Sequence, residues 1–192
     1  MPAKLVAGLG NPGSKYLWTR HNAGFIVLDE LSRRTGIPIA RKTFSGLFGD
    51  GAWHGNRLLL LKPQTFMNLS GRSVNPALNF NRLTLGDLVV IHDDLDIPFG
   101  RVKIKEGGGH AGHNGLRSLM QEMGSGDFTR IRVGIGRPVR GDAADYVLSP
   151  FSRDELAQLP RLLDGVIELL ELLLEEGALK AMTLFNNRDL LV

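Results

Sequence analysis

Cysteine is absent from the 192 residues. That excludes disulfides, thiolate nucleophiles and Cys-based zinc sites in one step, and it fits a reducing compartment. No apolar run approaches the ~20 residues that cross a bilayer, because glutamates interrupt even the Leu-rich stretch near the C-terminus. The first strand is expected by Lys4, which leaves no room for a signal peptide, so the expected location is cytoplasmic. The phosphate-binding pattern G-x-x-x-x-G-K-[ST] is missing, and so is the G-x-S-x-G nucleophile elbow. What is abundant is glycine, 24 residues concentrated in a few loops, where backbone can lie close to a ligand. A hydrophobic share of 43% and a charged share of 22% are those of a soluble globular chain, and the length suits one domain over residues 1–192.

The net charge of +3 conceals a division. Residues 1–140 hold 19 Lys and Arg against 10 Asp and Glu, whereas residues 141–192 hold 4 against 10. A basic working surface and an acidic region turned away from it are expected, with a polyanion as the natural partner of the basic part.

Strands are expected at 4–9, 46–53, 57–62, 88–92, 101–105 and 128–135. Helices are expected at 23–35 behind an Asn22 N-cap, near 69–83, from Asn114 to about Met123, and after the Ser152–Glu155 capping box. Arg161, Asp164, Glu168, Glu171 and Glu175 form a narrow polar stripe on an otherwise apolar C-terminal helix, which is therefore expected to be mostly buried. Strands alternating with helices indicate a three-layer α/β domain around a mainly parallel or mixed sheet, with ligands beyond the strand C-terminal ends.

Gly8-Leu9-Gly10-Asn11-Pro12-Gly13 matches the G-x-G-x-x-G dinucleotide fingerprint after a strand. The match fails on mechanics. The helix that should begin within the glycines starts near residue 23, and Asp29 and Glu30 fall in the middle of that helix, away from any ribose.

Three clusters can carry chemistry. His21 lies just before the first helix, whose N-terminus disfavours the imidazolium; a neighbouring carboxylate opposes that effect while fixing the ring tautomer. Asp93, at the end of the apolar run 88–92, is the best-placed carboxylate. Asp93, Asp94 and Asp96 also read as turn residues, or with His92, His110 and His113 as metal ligands. The run Gly107–Gly115 is either a mobile connection or a cradle of free N–H groups for a phosphate or oxyanion. Phe66-Met67-Asn68 is either a hydrophobic anchor or an exposed binding element. Asn11, Asn68 and Asn114 each sit in a loop after a strand, and an amide can position a water or carbonyl without adding charge. One histidine, one carboxylate and several amides suit hydrolysis by an activated water without a covalent intermediate.

These residues fall in segments that closely resemble the bacterial peptidyl-tRNA hydrolase family: Val6–Gly13, Thr19–Phe25, Lys62–Gly71, His92–Asp96, Gly107–Leu116 and Arg130–Pro138. They occur in family order over nearly the whole chain. The resemblance implies a phosphorylase/hydrolase-like α/β fold with a twisted mixed, mainly parallel sheet flanked by helices. It implies a cofactor-free and metal-free esterase that cuts peptidyl-tRNA. His21 would be the general base, Asp93 its orienting partner, and Asn11 the reader of the first peptide bond. Asn68 and Asn114 would position substrate and water, with His113 on the substrate side of the same loop. Tyr16 and Phe66 would line the groove near the tRNA end, and Met67 would pack beside the base. Lys105 and Arg132 would grip the tRNA 5′-phosphate, Arg132 aligning with one residue absent from the preceding loop. The second carboxylate of the motif is Asp94, where relatives often carry Glu. No exposed apolar helix calls for an obligate partner, so a monomer is expected.

Overall fold

The computed structural model of the chain describes residues 1–186 and 188–192. Its seven strands are β1 (Ala3–Gly8), β2 (Arg41–Thr43), β3 (Gly46–Trp53), β4 (Asn56–Pro63), β5 (Leu88–Asp94), β6 (Val102–Glu106) and β7 (Thr129–Gly134). Its helices are α1 (Ala23–Thr35), α2 (Gly71–Phe80), α3 (Asn114–Met123), α4 (Ala143–Val147), α5 (Arg153–Glu176) and α6 (Ala178–Phe185).

The strands form one sheet in the order β2-β3-β4-β1-β5-β7-β6. Strands β4, β1, β5 and β7 run parallel, while β2 and β3 on one flank and β6 on the other run antiparallel to their neighbours. The central strands are apolar on both sides because helices cover both faces. Val6, Leu60, Val89, Ile91 and Ile131 face the layer that holds α1 and α5. Leu5, Ala7, Leu61 and Val90 face Val74 and Leu78 of α2 and Leu116 and Leu119 of α3. This is the expected three-layer α/β architecture. No described helix is long and apolar enough to cross a membrane.

Local chemistry accounts for the boundaries. Helix α1 ends where Gly36 turns left-handed at φ 70°, and α3 ends the same way at Gly124, φ 72°. The hairpin between β3 and β4 turns on His54 and Gly55, both at positive φ. Both halves of the Ser152–Glu155 capping box are formed at the start of α5.

Three expectations need correction. The helix sought at 69–83 is only Gly71–Phe80, because the chain first makes a 3-10 turn at Met67–Leu69. From Pro160 onward helix α5 is less buried than expected, with only Leu162, Val166, Ile167, Leu169, Leu170 and Leu173 fully covered, while its acidic seam does lie in water, Asp164, Glu168 and Glu175 being exposed. Asp164 pairs with Arg34, Glu168 with Arg188, and Glu171 and Glu175 with His54. Strand β2 and helices α4 and α6 were not foreseen; each is short, and α6 is separated from α5 by Gly177 alone.

Candidate active site

The chain leaves β1 through Gly8-Leu9-Gly10 pressed against α1. A Cβ at Gly24 would lie inside contact distance of the Ile91 carbonyl oxygen and the Leu9 amide, so only glycine lets the helix approach there. Asn11 follows. Its backbone N–H donates to Asn22 Oδ1 (2.9 Å), and its carbonyl accepts from Asn22 Nδ2 (3.0 Å). Asn22 was expected to cap α1 but caps no helix N–H; its side chain closes the Asn11 loop instead. Asn11 Oδ1 accepts from the Met67 N–H at 2.8 Å. The amide is thereby fixed with its Nδ2, a pure donor, as the end without a partner among the described residues.

His21 sits on a 3-10 turn, Arg20–Asn22, between the loop and α1. Its Nδ1 is 2.9 Å from both oxygens of Asp93, at the end of β5. Asp93 Oδ1 also accepts from His113 Nε2 at 2.9 Å. His113 is the N-cap of α3, and its Nδ1 accepts from the Gly115 and Leu116 N–H groups at 3.1 and 3.3 Å. Those two backbone donors demand a bare Nδ1, so the proton of His113 is on Nε2, aimed at Asp93. The network assigns the complementary tautomer to His21: Nδ1–H faces the carboxylate and Nε2 keeps its lone pair.

Burial alone would lower the His21 pKa, but the Asp93 charge and its hydrogen bond outweigh burial and raise it. The neighbouring carboxylate decides the direction against burial. Burial would raise Asp93, yet the charges and hydrogen bonds of His21 and His113 hold it well below the usual carboxylate range. His92 is pushed down to about 3, first by burial and then by His113, so it stays neutral. Its Nδ1 is 2.7 Å from the Asp93 carbonyl, and its ring meets that of His113 at 4.9 Å between centroids.

His21, Asp93 and His113 are the one group among the described residues with metal-ligand spacing. The hydrogen-bond pattern opposes that use, because a metal on His113 Nε2 would move its proton to Nδ1 and break both bonds to α3. The set His92, Asp93, Asp96, His110 and His113 does not converge.

These groups open onto a cavity of about 570 Å³. Asn11, His21, Phe66, Met67, Asn68 and Asn114 line one part of it, with Phe66, Asn68 and Asn114 exposed. A second part is basic, with Lys105, Arg130 and Arg132. A third is apolar, from Leu95, Ala143, Val147 and Leu148. Tyr16 does not line the cavity; it lies on the 3-10 turn Ser14–Tyr16, with Lys15 Nζ 4.8 Å above its ring. His113 lines the cavity, and protein groups engage both its ring nitrogens.

The loop after β6 starts at the opposite end of the sheet from the other site loops, because β6 runs antiparallel to β7. It climbs back to Asp93 through Gly107, Gly108, Ala111 and Gly112, all at positive φ. Arg130 fixes its path by donating to the carbonyls of Gly108, Gly109 and Gly126. Sequence reasoning missed this role; the available signal was an arginine inside an otherwise buried strand. It also missed Arg20, which donates to Ser149 Oγ (2.6 Å), the Pro150 carbonyl (2.7 Å) and Glu155 (2.7 Å). Those bonds tie the turn that carries His21 to the segment that ends the apolar wall.

An α/β fold with a carboxylate-oriented imidazole and free amide donors in an open cavity defines the chain as a hydrolase. Residues 5–191 match the family model described as peptidyl-tRNA hydrolase. The chain is 69% identical over 191 residues to the peptidyl-tRNA hydrolase of Geobacter metallireducens, covering 100% of this chain and 98% of that protein. It is equally 69% identical over 191 residues to that of Geotalea uraniireducens, covering 100% of both. The crystal structure of the Acinetobacter baumannii peptidyl-tRNA hydrolase superposes with TM-score 0.88 at 36% identity, over 98% of this chain and 96% of that one. The chain belongs to the peptidyl-tRNA hydrolase family.

Proposed function

We propose that this chain cleaves the ester between a peptide, or an N-blocked aminoacyl group, and the terminal ribose of tRNA, with His21 as general base. The observation that carries the mechanism is the network around Asp93, which leaves His21 Nε2 as the free base in the cavity. A water gives its proton to Nε2 and attacks the ester carbonyl. Asn68 and Asn114 position substrate and water, and nearby amides and N–H groups stabilise the oxyanion. When the tetrahedral intermediate collapses, the imidazolium returns the proton to the departing ribose oxygen. Asp93 stabilises the imidazolium between these two transfers.

Asn11 supplies the selectivity. Its oxygen is engaged by Met67, so it presents N–H to the substrate and favours the carbonyl of a first peptide bond. A free aminoacyl-tRNA offers an ammonium there instead, a donor facing a donor. Lys105 and Arg132 contact the tRNA 5′-phosphate, and Phe66 and Met67 line the cavity near the tRNA end. Tyr16, outside the cavity, meets more distant parts of the substrate. No cofactor or metal takes part, and the chain works as a cytoplasmic monomer formed by one domain, residues 1–192.

The test is hydrolysis of N-acetyl-aminoacyl-tRNA against free aminoacyl-tRNA, with chelator present throughout. The blocked substrate should turn over and the free one should survive. His21→Ala should lower turnover by about 10²–10⁴-fold while tRNA binding persists. Near-wild-type turnover in that variant removes His21 from the role. Light scattering of the purified chain checks the monomer.

A further inference from the structure

The basic part of the cavity contains an asymmetry. Lys105 is exposed and makes no ion pair among the described residues. Arg132 is held: its Nε donates to Asp94 Oδ2 at 2.8 Å, with Asp94 11% and Arg132 25% exposed. Nη1 and Nη2 of Arg132 have no partner among the described residues. Asp94 is itself fixed, since its other oxygen accepts from the Asp96 N–H at 2.8 Å and its strand position pairs with Gly134 of β7.

A guanidinium is a planar fork. When a rigid carboxylate engages the Nε edge, rotation about the end of the side chain is restricted, and the Nη1/Nη2 edge is presented on the side away from that carboxylate. That edge is the one that binds a phosphate in bidentate fashion. The same carboxylate places a negative charge beside the phosphate site and weakens the hold. Aim and restraint come from one residue.

We propose that Asp94 is a positioning residue that aims Arg132 at the tRNA 5′-phosphate and limits the strength of that contact, so that deacylated tRNA can leave. The inference rests on the reading of Arg132 as a phosphate contact. It assigns no part to Asp94 in bond cleavage, which belongs to its neighbour Asp93. A single unit charge about 3–6 Å away in a water-like dielectric changes affinity by about 3- to 10-fold.

The experiment measures binding of deacylated tRNA, with and without its 5′-phosphate, to the full chain and to Asp94→Asn, Asp94→Ala, Asp94→Glu, Arg132→Gln and the Asp94→Asn/Arg132→Gln pair. Asparagine keeps one acceptor oxygen for Nε, turns its NH₂ toward the Asp96 N–H and removes the charge, so Asp94→Asn should bind 5′-phosphorylated tRNA about 3- to 10-fold more tightly. That gain should vanish on dephosphorylated tRNA and in the Arg132→Gln background. Asp94→Ala, which loses the aim as well, should bind less tightly than Asp94→Asn, and Asp94→Glu should stay near wild type. In steady state Asp94→Asn should lower KM and kcat together, a signature that mere loss of folding does not produce. Unchanged or weaker binding by Asp94→Asn, alongside weakened binding by Arg132→Gln, overturns the inference and leaves the phosphate contact standing. Wild-type binding by Arg132→Gln overturns the contact itself and the inference with it. A gain that persists in the double variant places the effect of the charge elsewhere and also overturns the inference.

Discussion

Asp93→Asn is the substitution that interrogates the site most directly. Asp93 accepts from two histidines at once, His21 Nδ1 and His113 Nε2, all three distances being 2.9 Å. An amide of the same shape has one acceptor oxygen and one NH₂ group. If the oxygen stays with His113, the NH₂ meets His21 Nδ1, and the imidazole must move its proton to Nε2, which ends its use as a base. If the oxygen serves both rings, the NH₂ still crowds the His21 N–H, and the imidazolium formed on proton transfer loses a full counter-charge in a site where Asp93 is 3% exposed. Either route removes most of the general-base contribution, about 10²–10⁴-fold, or roughly 3–5 kcal/mol at 1.36 kcal/mol per decade. The same exchange in a Ser-His-Asp triad costs about 10⁴-fold. Burial then acts on His21 unopposed, so its pKa falls from its raised position to below the ordinary 6.5. The assay is single-turnover hydrolysis of N-acetyl-aminoacyl-tRNA across the histidine titration range. The wild-type rate should rise with pH through an acid limb above 6.5, and in the variant the limb should move down as the plateau collapses. A variant within about tenfold of wild type, with its acid limb unmoved, would refute the reasoning.

Three other outcomes follow from the same structure. His92, with its pKa pushed down to about 3, resists protonation in the folded state while the unfolded chain takes a proton near 6.5. Stability should therefore decline as pH falls from 6.5, by up to about 1.4 kcal/mol per pH unit, and His92→Gln should flatten that slope in denaturant titrations carried out while Asp93 is still ionised. His21, with its raised pKa, acts in the opposite sense: its pairing with Asp93 stabilises fully below 6.5 and fades as pH rises through the folded value, so Asp93→Asn should lose more stability at mildly acidic than at alkaline pH. Gly24→Ala forces a Cβ into the Ile91 carbonyl and the Leu9 amide, and overpacking against backbone should cost about 1–3 kcal/mol or more in chemical denaturation, with activity falling because Asn11 and His21 flank that contact.

Much of the scaffold was legible along the chain because it is encoded locally. The apolar run 88–92 has no polar face to show, so it had to be a strand covered on both sides, and β5 is that strand. Gly36 and the Ser152–Glu155 box mark helix ends through backbone chemistry that needs no distant partner. His21, Asp93 and the three asparagines stood out because their residue types are costly to leave idle in loops. Asn22 was misread for the same reason: an asparagine before a helix is normally a cap, and only the return of the Asn11 loop gives its side chain a better pair of bonds.

The sequence by itself determined the periodic elements, the loops that carry polar groups, and the family to which the chain belongs. Only the tertiary structure decided which groups share protons and charge. His113 and Asp93 are 20 residues apart, and Arg132 lies 38 residues from Asp94. Whether such side chains meet depends on strand order and on the direction in which β6 is laid beside β7. Those choices are fixed by burying both faces of one sheet, a property of the whole chain that no short stretch contains.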